Sequence, residues 1–405
     1  MSIYPESQIP SREYMMKIAI SGCGIAGTAA GFLLAQQGHA VTIFEQAEKC
    51  RPVGAGILIQ PIGQRVLKEL GVYDQIEQQS AHLNYIEAIK HTGSRLVFLE
   101  YQRLHRQLFG LGVHRGLLFS TLLELSRKVG VEIRENSRIT GYRHIAGGVV
   151  LELDTQEQSE LFDCILATDG ARSPLRKASG IRHHAVDYEY GALWKTGSCT
   201  AVTDRLLQTV EGTKKLAGLL PIGNQQCSFF WGLTADQFAR YQEQGIETWK
   251  EDVRQLCPQA EEMLTQINRF EELTFTTYRD VSMKSCWADR IIFLGDAAHP
   301  TSPHLGQGAN LALEDVWEFA ECLKTSLEFG PACRRFAAKR QSKIQYYQRV
   351  TRWLTPFFQS DGWLKGWGRD LFLPLMCQTP VLREQMLKTL CGFKSGWISS
   401  RIDAP

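Results

Sequence analysis

Between Lys17 and Glu45 the chain reads as an apolar strand, three spaced glycines, a helix and a second apolar strand that ends on an acid, and few folds accept that order. KIAIS (17–21) is the short apolar run of a buried parallel strand. It leads into Gly22-Cys23-Gly24-Ile25-Ala26-Gly27, after which Ala29, Ala30, Leu33 and Leu34 recur at helical spacing until Gly38. Ala40 to Phe44 is the second strand, with Glu45 at its carboxyl end. Gly22 permits the tight turn, Gly24 lets backbone approach a pyrophosphate with no Cβ in the way, and Gly27 lets the helix pack closely on the strands. The helix N-terminus attracts phosphate charge, and Glu45 stands at the distance from which a carboxylate accepts from an adenosine ribose. The unit specifies a dinucleotide; it does not specify which.

Composition narrows the remaining classes. A chain of 405 residues, 44% apolar and 22% charged, buries a sizeable core in one composite domain or two smaller ones. A formal charge of +2 gives no reason to expect nucleic acid. The eleven cysteines are scattered, with no Cys-x-x-Cys pair, which argues against a disulfide framework, a metal site or a dithiol centre. Reduced thiols point to the cytoplasm. Residues 1–14 read as a polar, flexible N-terminal arm rather than a signal peptide. No apolar run of about eighteen residues occurs, so no transmembrane span is expected.

Two later segments resolve the dinucleotide. LFDCILAT (161–168) reads as a buried strand that runs into Asp169-Gly170-Ala171-Arg172-Ser173-Pro174-Leu175-Arg176. RIIFL (290–294) is another, followed by Gly295-Asp296-Ala297-Ala298-His299-Pro300 and then by Pro303-His304-Leu305-Gly306-Gln307-Gly308-Ala309-Asn310, which enters a helix. The three segments resemble the GxGxxG, DG and GD fingerprints of single-component flavoprotein hydroxylases, the family of p-hydroxybenzoate, salicylate and 3-hydroxybenzoate hydroxylases. Gly54-Ala55-Gly56-Ile57 is similar to the family's loop beside the flavin, and Arg115 with Leu118 and Leu122 to its Arg-x-x-Leu-x-x-x-Leu helix. The likeness runs from about Met16 to Val316.

The resemblance implies an α/β fold: a Rossmann-like FAD-binding domain of the glutathione-reductase type with a mixed sheet, interleaved with an antiparallel-sheet substrate domain and followed by a C-terminal helical segment. The FAD-binding part is expected over 15–84, 100–184 and 281–330, the substrate sheet over 85–99 and 185–280, and helices over 331–405. It also implies FAD as cofactor, NADH or NADPH as transient co-substrate, O2, and a small aromatic or hydrophobic substrate that is hydroxylated by a hydroperoxide on flavin C4a. A monomer or homodimer fits the family. Asp296 is implied for the ribitol hydroxyls, Glu45 with Gln46 for the adenosine half, Arg115 and Arg51 for the pyrophosphate side, and Asp169 with Gly170 for a shared flavin and nicotinamide contact. Gly22, Gly24, Ile25, Ala26, Gly27, Gly54, Ala55, Gly56 and Gly295 complete the expected cofactor shell. Pro303, Gly306, Gln307, Gly308, Ala309 and Asn310 form the helix entry that faces the reduced ring, where backbone N–H groups stabilise negative charge.

The substrate side is less constrained. Tyr190 to Ser198, Lys215 to Pro221 and Gln226 to Leu233 alternate as strands, which places Phe229 and Trp231 on one face and Phe230 on the other without saying which looks at the pocket. Trp194, Leu219, Phe229 and Trp231 are taken as substrate contacts. His304, between Pro303 and the glycine turn, is the acid–base candidate, and His299 is a support for the loop. The Trp- and Phe-rich tail, with Trp353, Phe357, Phe358, Trp363 and Trp367, is read as packing helices, membrane or lipophilic contact being the alternative. A halogenase would carry Trp-x-Trp-x-Ile-Pro, which is absent. A hydroxylase or epoxidase of a lipophilic, quinone-type substrate and a non-catalytic FAD-holding protein stay open.

Overall fold

The computed structural model describes residues 15–52, 54–360, 363–397 and 399–400; the arm expected at 1–14 and the side chains of Trp363 and Trp367 lie outside them. The glycine-flanked strand Lys17–Ser21 lies inside a six-stranded sheet of order Trp287–Ala288, Ile291–Phe293, Cys164–Ala167, Lys17–Ser21, Ala40–Phe44 and Glu132–Arg134. All of its pairings are parallel except the outermost, Trp287–Ala288 with Ile291–Phe293. Side chains alternate across it. Ile18 and Ile20 pack with Leu33, Leu118, Val316 and Phe319 of the helices Ile25–Gln36, Arg115–Lys128 and Gly308–Ser326. Ala19 turns the other way, onto Phe44, Ile139, Val149 and Phe162 beneath a small antiparallel sheet.

The run 161–168 is not one strand. Gln158–Phe162 belongs to the small antiparallel sheet and Cys164–Ala167 to the parallel one. The break falls at Asp163, whose N–H donates to the Lys17 carbonyl at 2.8 Å while its carboxylate accepts from the Lys17 N–H at 2.6 Å. That reciprocal pair pins the corner, and Leu161 is left exposed.

The second large sheet has seven strands, in the order Thr274–Met283, His183–Ser198, Gln226–Thr234, Lys215–Gly223, Arg205–Glu211, Tyr85–Lys90 and Arg95–Glu100. Its pairings are antiparallel apart from Arg205–Glu211 with Tyr85–Lys90. One face packs on the helix Ile246–Leu256 through Trp249 and Val253. The other looks towards the cofactor half. The C-terminal residues form the helices Phe329–Phe358, Trp363–Gln378 and Pro380–Leu390.

The long helix Phe329–Phe358 is fastened to Gly308–Ser326 by buried charge. Asp315 Oδ2 accepts from the Gly295 N–H at 3.0 Å and lies 2.5 Å from His299 Nε2, while Oδ1 accepts from Arg340 Nε at 2.8 Å. Glu314 pairs with Arg340 and Lys343, each at 2.6 Å. Burial alone raises a carboxylic acid; here His299 and Arg340 outweigh it and hold Asp315 down at about 2. Burial likewise pushes the Lys343 ammonium down to about 8, against the pull of Glu314. Replacing Arg340 by Met leaves two buried carboxylates short of compensation, and the expected loss is about 3–5 kcal/mol. Urea unfolding of the apo-protein measures it; a change below about 1 kcal/mol would show that the network is not what joins these helices.

Candidate active site

Between the two sheets and the C-terminal helices runs a single cavity of about 1370 Å³. Small-molecule pockets usually hold roughly 300–1000 Å³, so there is room here for more than one ligand. One end begins at the glycine turn. Gly24 is the N-cap of the helix Ile25–Gln36, and the first intrahelical bond is Thr28 N–H to the Gly24 carbonyl at 2.9 Å, so the N–H groups ahead of it have no helical partner. A Cβ on Gly24 or Gly170 would meet no protein atom within 4 Å, and one on Gly308 only Asp296 Oδ1 at 3.9 Å. A Cβ on Gly27 would stand 1.9 Å from the Gly22 carbonyl oxygen. Gly27 is small for the protein's sake; the other three are small towards open space. Glu45 lines this end with Gln46, its two oxygens accepting from the N–H groups of Cys23 at 2.8 Å and Ala47 at 3.0 Å.

Further along, Arg115 opens its helix, with His114 Nδ1 capping the Gly116 N–H at 3.1 Å, and reaches the cavity beside Gly54, Ala55 and Gly56. Asp296 is exposed in the cavity, and its carboxylate has no hydrogen-bond partner among the described residues. Asp169 accepts from Ser173 Oγ at 2.8 Å while its Oδ1 has no partner; burial pushes its carboxyl up to about 6, against Ser173 and Arg176. Arg176 is buried and does not face the cavity. It donates to the carbonyls of Ala171, Gly170, Asp296 and Ala297, and so laces the DG loop to the GD loop.

At the far end the turn Pro303–Leu305 precedes Gly306, which takes a left-handed φ of +60° before the helix Gly308–Ser326. The first bond of that helix is Leu311 N–H to the Gln307 carbonyl at 2.8 Å, so the N–H groups of Gly308 and Ala309 stand free at the cavity wall. His304 Nδ1 lies 2.9 Å from Ser302 Oγ, Ser302 Oγ lies 2.6 Å from Thr355 Oγ1, and Thr355 Oγ1 lies 2.8 Å from the Thr351 carbonyl. A carbonyl only accepts, so one set of directions satisfies all three contacts: Thr355 donates to Thr351, Ser302 to Thr355, and His304 Nδ1–H to Ser302. Nε2 therefore carries the lone pair. The imidazole stacks on Phe358 at 5.9 Å, and burial lowers it to about 4, so it is neutral at ordinary pH.

The sheet supplies the opposite wall, and strand alternation decides which residues belong to it. Trp194 and Phe230 face the cavity, their rings 5.3 Å apart, with Thr274, Thr276 and Tyr278 on the neighbouring strand. Leu219, Phe229 and Trp231, expected to touch substrate, point the other way, into the core against Trp249; they are one residue out of phase with the cavity face. Several cofactor candidates also stand behind the wall. Gly27 and Gly295 pack against backbone and helix, Gln307 donates to the Leu390 carbonyl at 2.6 Å, and Asn310 bolts the helix to Gln60 N–H and the Leu58 carbonyl. Arg51 is exposed and away from the cavity. Arg138 and Tyr278, which sequence reasoning missed, do line it. The alternation in TFTTY (274–278) is the signal that pointed to Tyr278.

Comparison with known proteins agrees with this geometry. The family model described as FAD binding domain matches residues 15–331. The chain is 26% identical to 6-hydroxynicotinate 3-monooxygenase of Pseudomonas fluorescens, over 89% of this chain and 97% of that one. It is 27% identical to 3-hydroxybenzoate 6-hydroxylase of Klebsiella oxytoca, over 88% and 98%. Among solved structures, P. aeruginosa PqsL in complex with 2-aminobenzoylacetate superposes with a TM-score of 0.77 at 22% identity, covering 87% of this chain and 99% of that one, which shows a shared fold. With the glycine cradle, the DG and GD loops and the aromatic wall in one cavity, the chain belongs to the FAD binding domain family and is an FAD-dependent monooxygenase of the single-component aromatic hydroxylase type.

Proposed function

We propose that this enzyme draws its electrons from NADH or NADPH and that His304 Nε2 receives the hydroxyl of a phenolic substrate. The observation that carries this reading is the neutral imidazole with its lone pair on Nε2, beside the free N–H groups that begin the Gly308–Ser326 helix. FAD, when bound, would relay two electrons from nicotinamide to O2, one atom of which goes to the substrate and the other to water. Glu45 would accept from the adenosine ribose, and the open N–H groups of Ile25 and Ala26 would hold the diphosphate with Arg115. Asp296 would accept from the ribitol hydroxyls, and the N–H groups of Gly308 and Ala309 would stabilise the negative charge that reduction brings to the ring. The carboxylate of Asp169 faces the junction of the two halves.

His304 does its work as a weak base. A value of about 4 means that Nε2 orients and polarises the hydroxyl and takes its proton only as charge leaves the oxygen. The chain through Ser302 and Thr355 ends on a carbonyl, so it fixes the tautomer and does not conduct a proton to solvent. The apolar wall keeps water from the activated oxygen.

The decisive assay is substrate-stimulated NAD(P)H oxidation with a product one oxygen heavier. Nicotinamide oxidation that no aromatic compound stimulates would sink the reading. Gly24→Val should empty the protein of flavin while costing the apo-protein about 1 kcal/mol at most, because the protein leaves room for that Cβ; Gly27→Val should fail to fold. Asp296→Ala should lose most bound FAD, each charge-assisted bond being worth about 1.5–3 kcal/mol. Flavin content against thermal unfolding separates these cases, and full occupancy in either Gly24→Val or Asp296→Ala overturns its assignment.

His304→Ala should lower hydroxylation by about 10²–10⁴-fold while nicotinamide oxidation continues and hydrogen peroxide accumulates. Because burial lowers the imidazole, its acceptor form persists as pH falls and is lost only near pH 4, so product formed per nicotinamide should stay level from about pH 8 to pH 6. A decline centred near 6.5, where an ordinary histidine titrates, would show that His304 is not in this environment during turnover.

A further inference from the structure

The cavity divides by charge. Its charged lining residues, among those described, are Glu45, Arg115, Arg138, Asp169, Arg172 and Asp296, all on the cofactor half. Arg172, the cation that borders the sheet, donates to Thr277 Oγ1 at 3.1 Å, on the face of that strand opposite Thr276 and Tyr278. From His304 onward the described lining residues are all neutral. Besides Trp194 and Phe230, the lining includes residues of the edge strand Arg95–Glu100 and of the helices Trp363–Gln378 and Pro380–Leu390, the part of the cavity we call the arm. The arm is lined by Val97, Leu99, Leu373, Met376, Met386 and Leu390, with the neutral polar side chains of Gln385 and Thr389 among them. Trp353, Leu382 and Trp397, apolar residues that also line the cavity, are 58%, 41% and 62% exposed.

A single aromatic ring does not need that arm, and a carboxylate bound there would meet no cation among the described lining residues to compensate its desolvation. We propose that the substrate is a neutral aromatic bearing an extended apolar group, its reactive ring between His304 and the sheet and its apolar extension in the arm. This rests on the reading above that the cavity beyond His304 is the substrate site. Methionines suit such an arm, since their flexible, polarisable side chains adapt to chains of different shape.

The test uses the holoenzyme and two series of probes: 4-alkylphenols from ethyl to nonyl, and the same phenols carrying a ring carboxylate. Binding is read from the change in flavin absorbance, with nicotinamide oxidation and product mass followed in parallel. Affinity should rise about fourfold per methylene until the arm is full, and the carboxylate should weaken binding about 100-fold or more. Met376→Trp, with flavin content as the check on folding, should shorten the chain at which affinity levels off. Affinity independent of chain length, carboxylated phenols bound as well as neutral ones, no binding by either series, or an unmoved plateau in Met376→Trp each overturns the proposal. Chain-length-dependent binding with no oxidation by any probe would count against the hydroxylase roles assigned above while supporting the ligand class. Turnover of carboxylated single rings alone would do the reverse.

Discussion

Asp315 is 0% exposed and ionised, and a carboxylate in that position stands only if several donors converge on it. They come from three places: the Gly295 backbone, the His299 side chain and Arg340 on the C-terminal helix. Satisfying one buried charge therefore fixes the turn that presents Asp296, the loop that leads to His304, and the helix that carries Thr351, Thr355 and Phe358. Asn310, five residues earlier on the same helix, ties its first turn to Leu58 and Gln60. The helix start is thereby held at both ends of its first two turns, which keeps its free N–H groups aimed at the cavity. Arg176 supplies a second lacing from the other side.

The cofactor half was largely legible in the sequence because its constraints are local. A glycine that must make room, an acid at a strand end and a helix that begins after a turn all leave their marks within one short stretch of chain, as in 17–45 and 290–310. The substrate half was not, for three physical reasons. Strand alternation in CSFFWGL shows that Phe229 and Trp231 differ in facing from Phe230, but the side on which a helix packs is settled by Trp249, some twenty residues away. Arg51 and Arg172 look alike as sequence, and only tertiary position sends one to solvent and the other to the cavity. Asn310 and Gln307 sit in a glycine-rich entry whose backbone faces the cavity, while their amides turn inwards to satisfy buried partners. The Asp163 corner was hidden for a similar reason: its partner, Lys17, is far away in the chain.

The electrostatic division of the cavity has a structural origin. Apart from Arg115, which opens a helix, its charged residues stand on loops and strand ends of the six-stranded sheet, where backbone N–H groups or a nearby hydroxyl can share the load, as Glu45 and Asp169 show. The substrate wall is the middle of a seven-stranded sheet and the flanks of long helices, whose backbone groups are already spent on one another. Such surfaces have no spare partners for an ion, so they are furnished with Thr, Tyr, Gln and apolar side chains. Polarity at the ring end comes from hydroxyls and one neutral imidazole, whose proton placement is dictated from outside the site by the Thr351 carbonyl.

The two faces of the seven-stranded sheet also bear on how an enzyme of this kind can change. Leu219, Phe229 and Trp231 hold the sheet to its helix, whereas Leu220 and Phe230, their neighbours in the chain, and Trp194, opposite Phe230 on the adjacent strand, border the cavity. A substitution at a member of the second set alters what the cavity accepts and leaves the first set in its packing. Stability and specificity are thus written in alternate letters along the same strands, so ligand preference is free to drift under selection without a matching toll on folding.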